Sequence, residues 1–230
     1  MMEAIVLAGG SGTRLRQVVA DVPKPMAPIA GRPFLEILLN SLAHKGFHRV
    51  ILSLGFMAEK ISSHFGPNFA GMELVYVVED QPMGTGGGAR LAMEQVTLDH
   101  VFVFNGDTFL DLEVDLLEQQ WSMNLRPLIV GREVPDTARY GRLLVSEGMA
   151  TGFTEKGVVE PGLINAGCYV LRRDQLDNFP VEEAFSIETD YLVPAVTAKK
   201  FDVFVSRGQF IDIGVPEDYL KAQVLLENYT

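Results

Sequence analysis

The stretch Leu7-Ala8-Gly9-Gly10-Ser11-Gly12-Thr13-Arg14 follows an apolar run and joins small, flexible residues to a guanidinium. Further on, Lys24 stands between Pro23 and Pro25. Glycine lets backbone N–H groups approach an anion closely, and a helix that starts nearby adds favourable potential. Proline fixes its own φ and restricts the residue before it, so Lys24 is presented from a stiffened segment. Two fixed cations facing a glycine-rich loop suit a polyphosphate. The stretch is not a Walker A loop, which ends in Gly-Lys-Ser/Thr. Nor is it a dinucleotide fingerprint, because Leu15 occupies the place of the third glycine. Two aspartates, Asp107 in FVFNGD and Asp212 in FIDIG, each end an apolar run. A lone aspartate there commonly caps a helix or makes a turn. Gly106 leaves room for a ligand beside Asp107.

These residues need elements that bring several loop ends together. EAIVLAG, RVILSLG, ELVYVVE and HVFVFNGD read as strands. PFLEILLNSLAHKG, MAEKISSHFG, GARLAMEQV and VDLLEQQWSMN read as helices, with Trp121 of the last in the core. Strand and helix alternate four times, which predicts a Rossmann-like α/β fold: an open, mostly parallel sheet with helices on both faces. In such sheets ligands bind beyond the carboxyl ends of the strands, where the glycine-rich stretch and Asp107 both fall. After about residue 125 the pattern turns β-rich and is expected to extend the same sheet and add a subdomain. PEDYLKAQVLLENY then reads as an amphipathic helix, with Pro216 suited to its first turn. One domain is expected over 1–230.

Composition excludes several classes. The chain carries 19 basic and 30 acidic residues, a net charge of −11, which argues against nucleic acid as a partner. Any phosphate must therefore be met by a local cluster or a metal ion. Cys168 is the only cysteine, so an intrachain disulfide is excluded, and its apolar flanks predict a buried, inert thiol. His44, His48, His64 and His100 lack metal-ligand spacing. MMEAIVLAGG has no basic leading region, and no stretch approaches the ~20 apolar residues of a membrane span. A cytoplasmic protein with no membrane partner is expected.

The combination LAGGSGTRL…PKP closely resembles the signature of the sugar-1-phosphate nucleotidyltransferases, also called nucleotide-sugar pyrophosphorylases. Supporting segments are EDQPMGTGGG, NGDTFLD, FTEK, INAGCYVL and FIDIGVPEDY, in that order. The resemblance covers nearly the whole chain and implies a GT-A-like nucleotidyltransferase fold. About 1–125 would be a nucleotide-binding half and about 126–230 a β-rich sugar-phosphate-binding half. The implied reaction joins a nucleoside triphosphate and a sugar 1-phosphate and releases pyrophosphate. The nucleophile, a phosphate monoester with its second pKa at ~6, is already largely ionised at pH 7. No general base is needed, so catalysis should come from positioning, cations and metal.

Carried onto this chain, the resemblance gives Arg14 to the β- and γ-phosphates and the departing pyrophosphate. Lys24 falls between the two substrates' phosphates. Asp107 and Asp212 would hold Mg²⁺, a hard ion that prefers oxygen ligands. Asp111 is a weaker candidate that would otherwise cap the next helix. The backbone from Leu7 to Thr13, with Glu79, Pro82, Gly84 and Thr85, would bind the nucleotide, Glu79 accepting from a guanine edge. Gly106, Glu155, Lys156, Asn165, Gly167 and Glu188 would surround the sugar phosphate, with Glu155 and Asn165 expected on neighbouring strands. PMGTGGG, NGDTF and FIDIGVPEDY resemble most the guanylyltransferase subgroup that uses GTP and a manno-configured heptose 1-phosphate. Mannose 1-phosphate, or UTP or dTTP with another sugar 1-phosphate, stays open as an alternative. A silent nucleotide-sugar-binding regulator and a glycosyltransferase stay open as other classes. Association into a homo-oligomer is compatible with all of these.

Overall fold

A computed structural model of the chain describes residues 1–10, 15, 19, 22–198 and 200–229. The first half runs β1 (Met2–Leu7), β2 (Pro28–Ile29), β3 (Arg32–Pro33), α1 (Phe34–His44), β4 (Phe47–Leu54), α2 (Ala58–Phe65), β5 (Asn68–Phe69), β6 (Met72–Val78), α3 (Gly84–Met93), β7 (His100–Asn105), β8 (Thr108–Leu110) and α4 (Val114–Asn124). The second half runs β9 (Leu128–Val134), β10 (Leu143–Ser146), β11 (Met149–Phe153), β12 (Gly162–Arg172), α5 (Val193–Thr197), β13 (Asp202–Ser206), β14 (Phe210–Asp212) and α6 (Pro216–Leu225). A turn of π-helix, Ile187–Leu192, leads into α5.

Ten strands form one sheet in the order β10-β11-β13-β9-β12-β7-β1-β4-β6-β5. Within the first half, β1 pairs parallel with β4 and β7, and β4 parallel with β6. The chain steps outward from β1 through β4 to β6, then returns to the other side of β1 as β7. That reversal makes a crevice at the carboxyl ends of β1 and β7, where open α/β sheets bind ligands. The second half joins the same sheet as expected, but makes it mixed. β12 runs antiparallel to both β7 and β9, and β10 and β11 form an antiparallel edge.

Apolar periodicity accounts for the layers. On one face, Leu35, Leu38, Leu39 and Leu42 of α1, Ile61 and Phe65 of α2, and Leu117 and Trp121 of α4 pack on the sheet. On the other, Ala89, Ala92 and Met93 of α3 and Ala195 and Val196 of α5 do so. Trp121 is in the core, whereas its neighbours Leu116 and Leu125 are exposed. Among the described residues, no helix is long and apolar enough to cross a membrane.

A third, smaller cluster lies apart from both sheet faces. Phe109 of β8, Ile211 and Ile213 at β14, Phe34 and Ile37 of α1, and Tyr219 and Ala222 of α6 form its centre. It supports the two-stranded β8–β14 ribbon, in which Asp212 pairs with Thr108 and Ile211 with Phe109. Pro216 occupies the first turn of α6, with Glu217 and Asp218 beside it, where acidic side chains favour the helix dipole.

Candidate active site

β1 ends at Leu7, and the chain continues through Ala8 and Gly9 alongside the end of β4. Ala8 donates to the Ser53 carbonyl at 2.8 Å. Gly9 and Gly55 approach so closely that a Cβ at Gly55 would stand 2.9 Å from the Gly9 carbonyl oxygen. Only residues without side chains fit there. The result is a cavity of about 520 Å³ lined by Leu7, Gly9, Gly10, Glu79, Pro82, Gly84 and Thr85, with Gly55, Phe56, Asp80 and Gln81 completing the wall. Seven residues read from the sequence as nucleotide-binding are thus brought together. Ala8 lies behind them and is buried. Ser11, Gly12, Thr13 and Arg14 lie outside the described residues.

Glu79 Oε2 accepts the Met83 amide at 3.0 Å. Burial raises its carboxyl above the ordinary range, and the Met83 amide counters only part of that. A half-buried acceptor beside a largely apolar cavity is suited to meet N–H donors of a ligand. Thr85 lines the cavity, and its hydroxyl accepts the Ile187 amide at 3.1 Å. The triple glycine lies inside α3, buried. It lets the 183–187 segment pack on the helix backbone. The Gly86 amide donates to the Phe185 carbonyl at 2.9 Å, and the Phe185 amide to Met83 at 3.0 Å.

On the other side of β1 lie the carboxylates. The Gly106 amide donates to the Leu7 carbonyl at 2.9 Å, which ties the end of β7 to the cavity wall. Asp107 follows. Its carbonyl accepts the Ile213 amide at 2.9 Å, so the ribbon holds Asp107 and Asp212 together. Lys24, presented after Pro23 on a single 3₁₀ turn, places Nζ 2.5 Å from Asp107 Oδ2. Asp212 Oδ1 accepts the Gly214 amide at 2.6 Å, and its Oδ2 lies 3.4 Å from the Arg139 guanidinium. Burial first, and the charge of Asp107 second, push the Asp212 carboxyl up, while Lys24, Gly214 and Arg139 pull it down. Two carboxylates held this close attract cations. Among the described residues no cluster of three or more His, Cys, Asp or Glu gathers to hold a metal. The pair therefore fits an ion that takes its other ligands from water and phosphate oxygens.

Asp111 stands apart from this pair. It neither joins Asp107 nor caps α4. It pairs with Lys45 at 2.6 Å and accepts from the Tyr229 hydroxyl at 3.0 Å, and these partners hold its carboxyl below the usual value against the opposing effect of burial.

The sugar-side residues divide into two sets. Asn165 sits at an irregularity in β12, where its Nδ2 donates to the Tyr169 hydroxyl at 2.8 Å and its Oδ1 accepts the Gly167 amide at 3.0 Å. Gly167 lies against Asn105, two residues before Asp107. Glu188, exposed on the π-helical turn, acts with burial to raise the Tyr169 hydroxyl, which brings it into the same neighbourhood. Glu155 and Lys156, in contrast, are exposed in the loop after β11. The expectation that Glu155 and Asn165 lie on neighbouring strands is incorrect, because β13 and β9 separate β11 from β12. The amphipathic signal marked each strand but carried nothing about their order.

A family model described as nucleotidyl transferase matches residues 3–228. The chain belongs to the nucleotidyl transferase family. The D-glycero-α-D-manno-heptose 1-phosphate guanylyltransferase of Aneurinibacillus thermoaerophilus is 38% identical over 229 residues, 99% of this chain and 100% of that one. The mannose-1-phosphate guanylyltransferase of Mycobacterium tuberculosis is 35% identical over 227 residues, 96% of this chain and 63% of that one. The crystal structure of HddC from Yersinia pseudotuberculosis complexed with GMP-PN superposes with a TM-score of 0.85 at 37% identity, covering 97% of this chain and 98% of that one.

Sequence reasoning missed several residues of this nucleotidyltransferase's cavity. Gly55 and Phe56 follow β4 directly, and applying the strand-end rule to that strand finds them. Asp80 and Gln81 sit inside EDQPMGTGGG, between residues that the resemblance marks and without a signal of their own. Outside the cavity, Arg139 and Tyr140 beside Asp212 carried no periodic signal.

Proposed function

We propose that the chain transfers a guanylyl group from GTP to D-glycero-D-manno-heptose 1-phosphate, giving the GDP-heptose and pyrophosphate. The observation that carries the reading is the juxtaposition at the β1–β7 crevice. A glycine-walled cavity with a raised acceptor, Glu79, adjoins Lys24 and the Asp107–Asp212 pair. The near-full-length likeness to a heptose 1-phosphate guanylyltransferase, and to a structure complexed with GMP-PN, supports the choice of substrates.

In this reading the backbone at Gly9 and Gly10 and the walls at Pro82, Gly84 and Thr85 position the nucleotide, and Glu79 accepts from the guanine N–H edge. Asp107 and Asp212 hold Mg²⁺, which when bound stabilises charge on the reacting phosphates. Lys24 lies between the substrates and neutralises phosphate charge as the two anions meet. Arg14 takes the departing pyrophosphate. The sugar phosphate attacks the α-phosphorus in line and needs no base from the protein. Asn165, Gly167 and Glu188 border the sugar, with Gly106 giving clearance and Glu155 and Lys156 reaching in from their loop.

The test is a matrix of GTP, UTP, dTTP, ATP and CTP against heptose, mannose and amino sugar 1-phosphates, read by pyrophosphate release. The expected maximum is GTP with the manno-heptose, with weaker turnover of mannose 1-phosphate. A maximum at UTP with an amino sugar would overturn the substrate assignment. Absence of pyrophosphate release across the whole matrix would overturn the reaction.

A further inference from the structure

The loop between β9 and β10 places a cation against one of the two carboxylates. Thr137, only 2% exposed, anchors it. The Thr137 hydroxyl donates to the Glu160 carbonyl at 3.0 Å, and its own carbonyl accepts the amides of Tyr140 at 3.0 Å and Gly141 at 2.9 Å. The Ala138 carbonyl accepts the Gly157 amide at 2.8 Å. The Tyr140 ring packs edge-on against Phe210 of β14, with centroids 6.1 Å apart. Arg139 is thus carried on a turn fixed from several sides. Its guanidinium lies 5.2 Å from the Tyr140 ring centroid and 3.4 Å from Asp212 Oδ2, and it pairs with Asp218 in the first turn of α6. Asp218 also holds Lys221 at 2.9 Å.

We propose that Arg139 is a positioning residue that competes with the divalent cation for Asp212, and that Asp218 is the second station of its guanidinium. The inference rests on the metal reading of Asp107 and Asp212. A hard cation requires free carboxylate oxygens, and a guanidinium on Asp212 Oδ2 neutralises one of them. Arginine presents five donors in a planar fork, so it can release one carboxylate while keeping another. Asp218, fixed on α6, retains the side chain beside the site when Asp212 is given up. Lys24 pairs directly with Asp107 and also acts on Asp212, so Arg139 is the cation in direct contact with Asp212 Oδ2 and Lys24 the one in direct contact with Asp107. The metal affinity of the free protein is then set by how firmly Arg139 is held on Asp212.

Mn²⁺ binding to the nucleotide-free full chain, followed by the loss of the free-Mn²⁺ paramagnetic signal, tests this. The Arg139→Gln variant should bind Mn²⁺ about threefold to fivefold more tightly, the range expected for removing one partly exposed ion pair. Asp218→Asn should weaken binding, because the guanidinium then has only Asp212 left. Through-space charge alone would also move the two variants oppositely, so the shifts are read again at high salt: shifts that vanish there overturn competition for Asp212 Oδ2, and shifts that persist support it. An unchanged or weaker affinity in Arg139→Gln overturns the proposal, and an unchanged or tighter one in Asp218→Asn overturns the role of Asp218. The same titration on Asp212→Asn separates the two readings. Loss of binding there with no effect of Arg139→Gln sinks only this inference, whereas undiminished binding sinks the metal assignment itself.

Discussion

At Asp212, burial and the charge of Asp107 work against ionisation while Lys24, the Gly214 amide and Arg139 support it. In the proposed reading, removing either carboxylate's charge would remove a ligand to the ion that stabilises the reacting phosphates. Asp107→Asn and Asp212→Asn are each expected to lower kcat by at least ~100-fold, measured at saturating Mg²⁺. Turnover near that of the unaltered protein would remove them from the metal site. Glu79 makes a second test, through pH. Its folded-state carboxyl sits above the ordinary value of 4.5, so the native state keeps its proton where the unfolded chain has lost it. Folding stability contributed by this group is therefore present at low pH and lost as pH rises from about that value through the raised one. Glu79→Gln should lack that loss, so the difference in denaturant midpoint between the two proteins should grow with pH across the window and then level off. A difference independent of pH would show that burial does not hold the proton. Asp107 and Asp212 stood out as candidates because each ends an apolar run, whereas Glu79 came only through the family resemblance. Arg139 was not legible, because an arginine in a polar loop gives no hint of which carboxylate it will face.

Helix α3 shows where local pattern stops short. Its glycines disfavour a helix by roughly 1 kcal/mol each relative to alanine, and a turn is the reading that local cost suggests. The helix forms because the glycines let the 183–187 segment lie against it. A Cβ at Gly87 would stand 2.6 Å from the Glu183 carbonyl oxygen and 2.8 Å from Met83 Cβ. Gly87→Ala should therefore gain helix propensity and still lose about 1–3 kcal/mol of stability from overpacking. By displacing the segment that carries Glu188, it should also raise KM for the sugar phosphate more than KM for GTP. A stabilised variant with unchanged constants would contradict this. The alternation of strands and helices in the first half was readable because each element has its own period. The order β10-β11-β13-β9-β12 was not, since it depends on which edges meet after collapse. That is why Glu155 and Asn165 were expected side by side. The β8–β14 ribbon was invisible for a related reason: its strands are only three residues long and pair across 100 or more positions of chain.

Across the whole molecule, Cys168 reports on the sheet's integrity. It lies on β12 opposite Phe104, 1% exposed, and burial raises its thiol far above the usual range. Thiolate is the reactive form, so alkylation at pH 8 should be negligible in the folded protein and complete in denaturant. Rapid labelling without denaturant would show that the centre of the sheet opens. The strand that carries this thiol spans eleven residues and is bonded to β7 on one side and β9 on the other. No seam in the sheet therefore falls near residue 125, where the two halves were expected to meet. Two walls that share a beam do not swing like jaws, so the floor of the crevice is one continuous sheet. Severing the chain there would leave each fragment with a bare ladder of unpaired backbone groups, prone to stick to its own kind until the other fragment covered it.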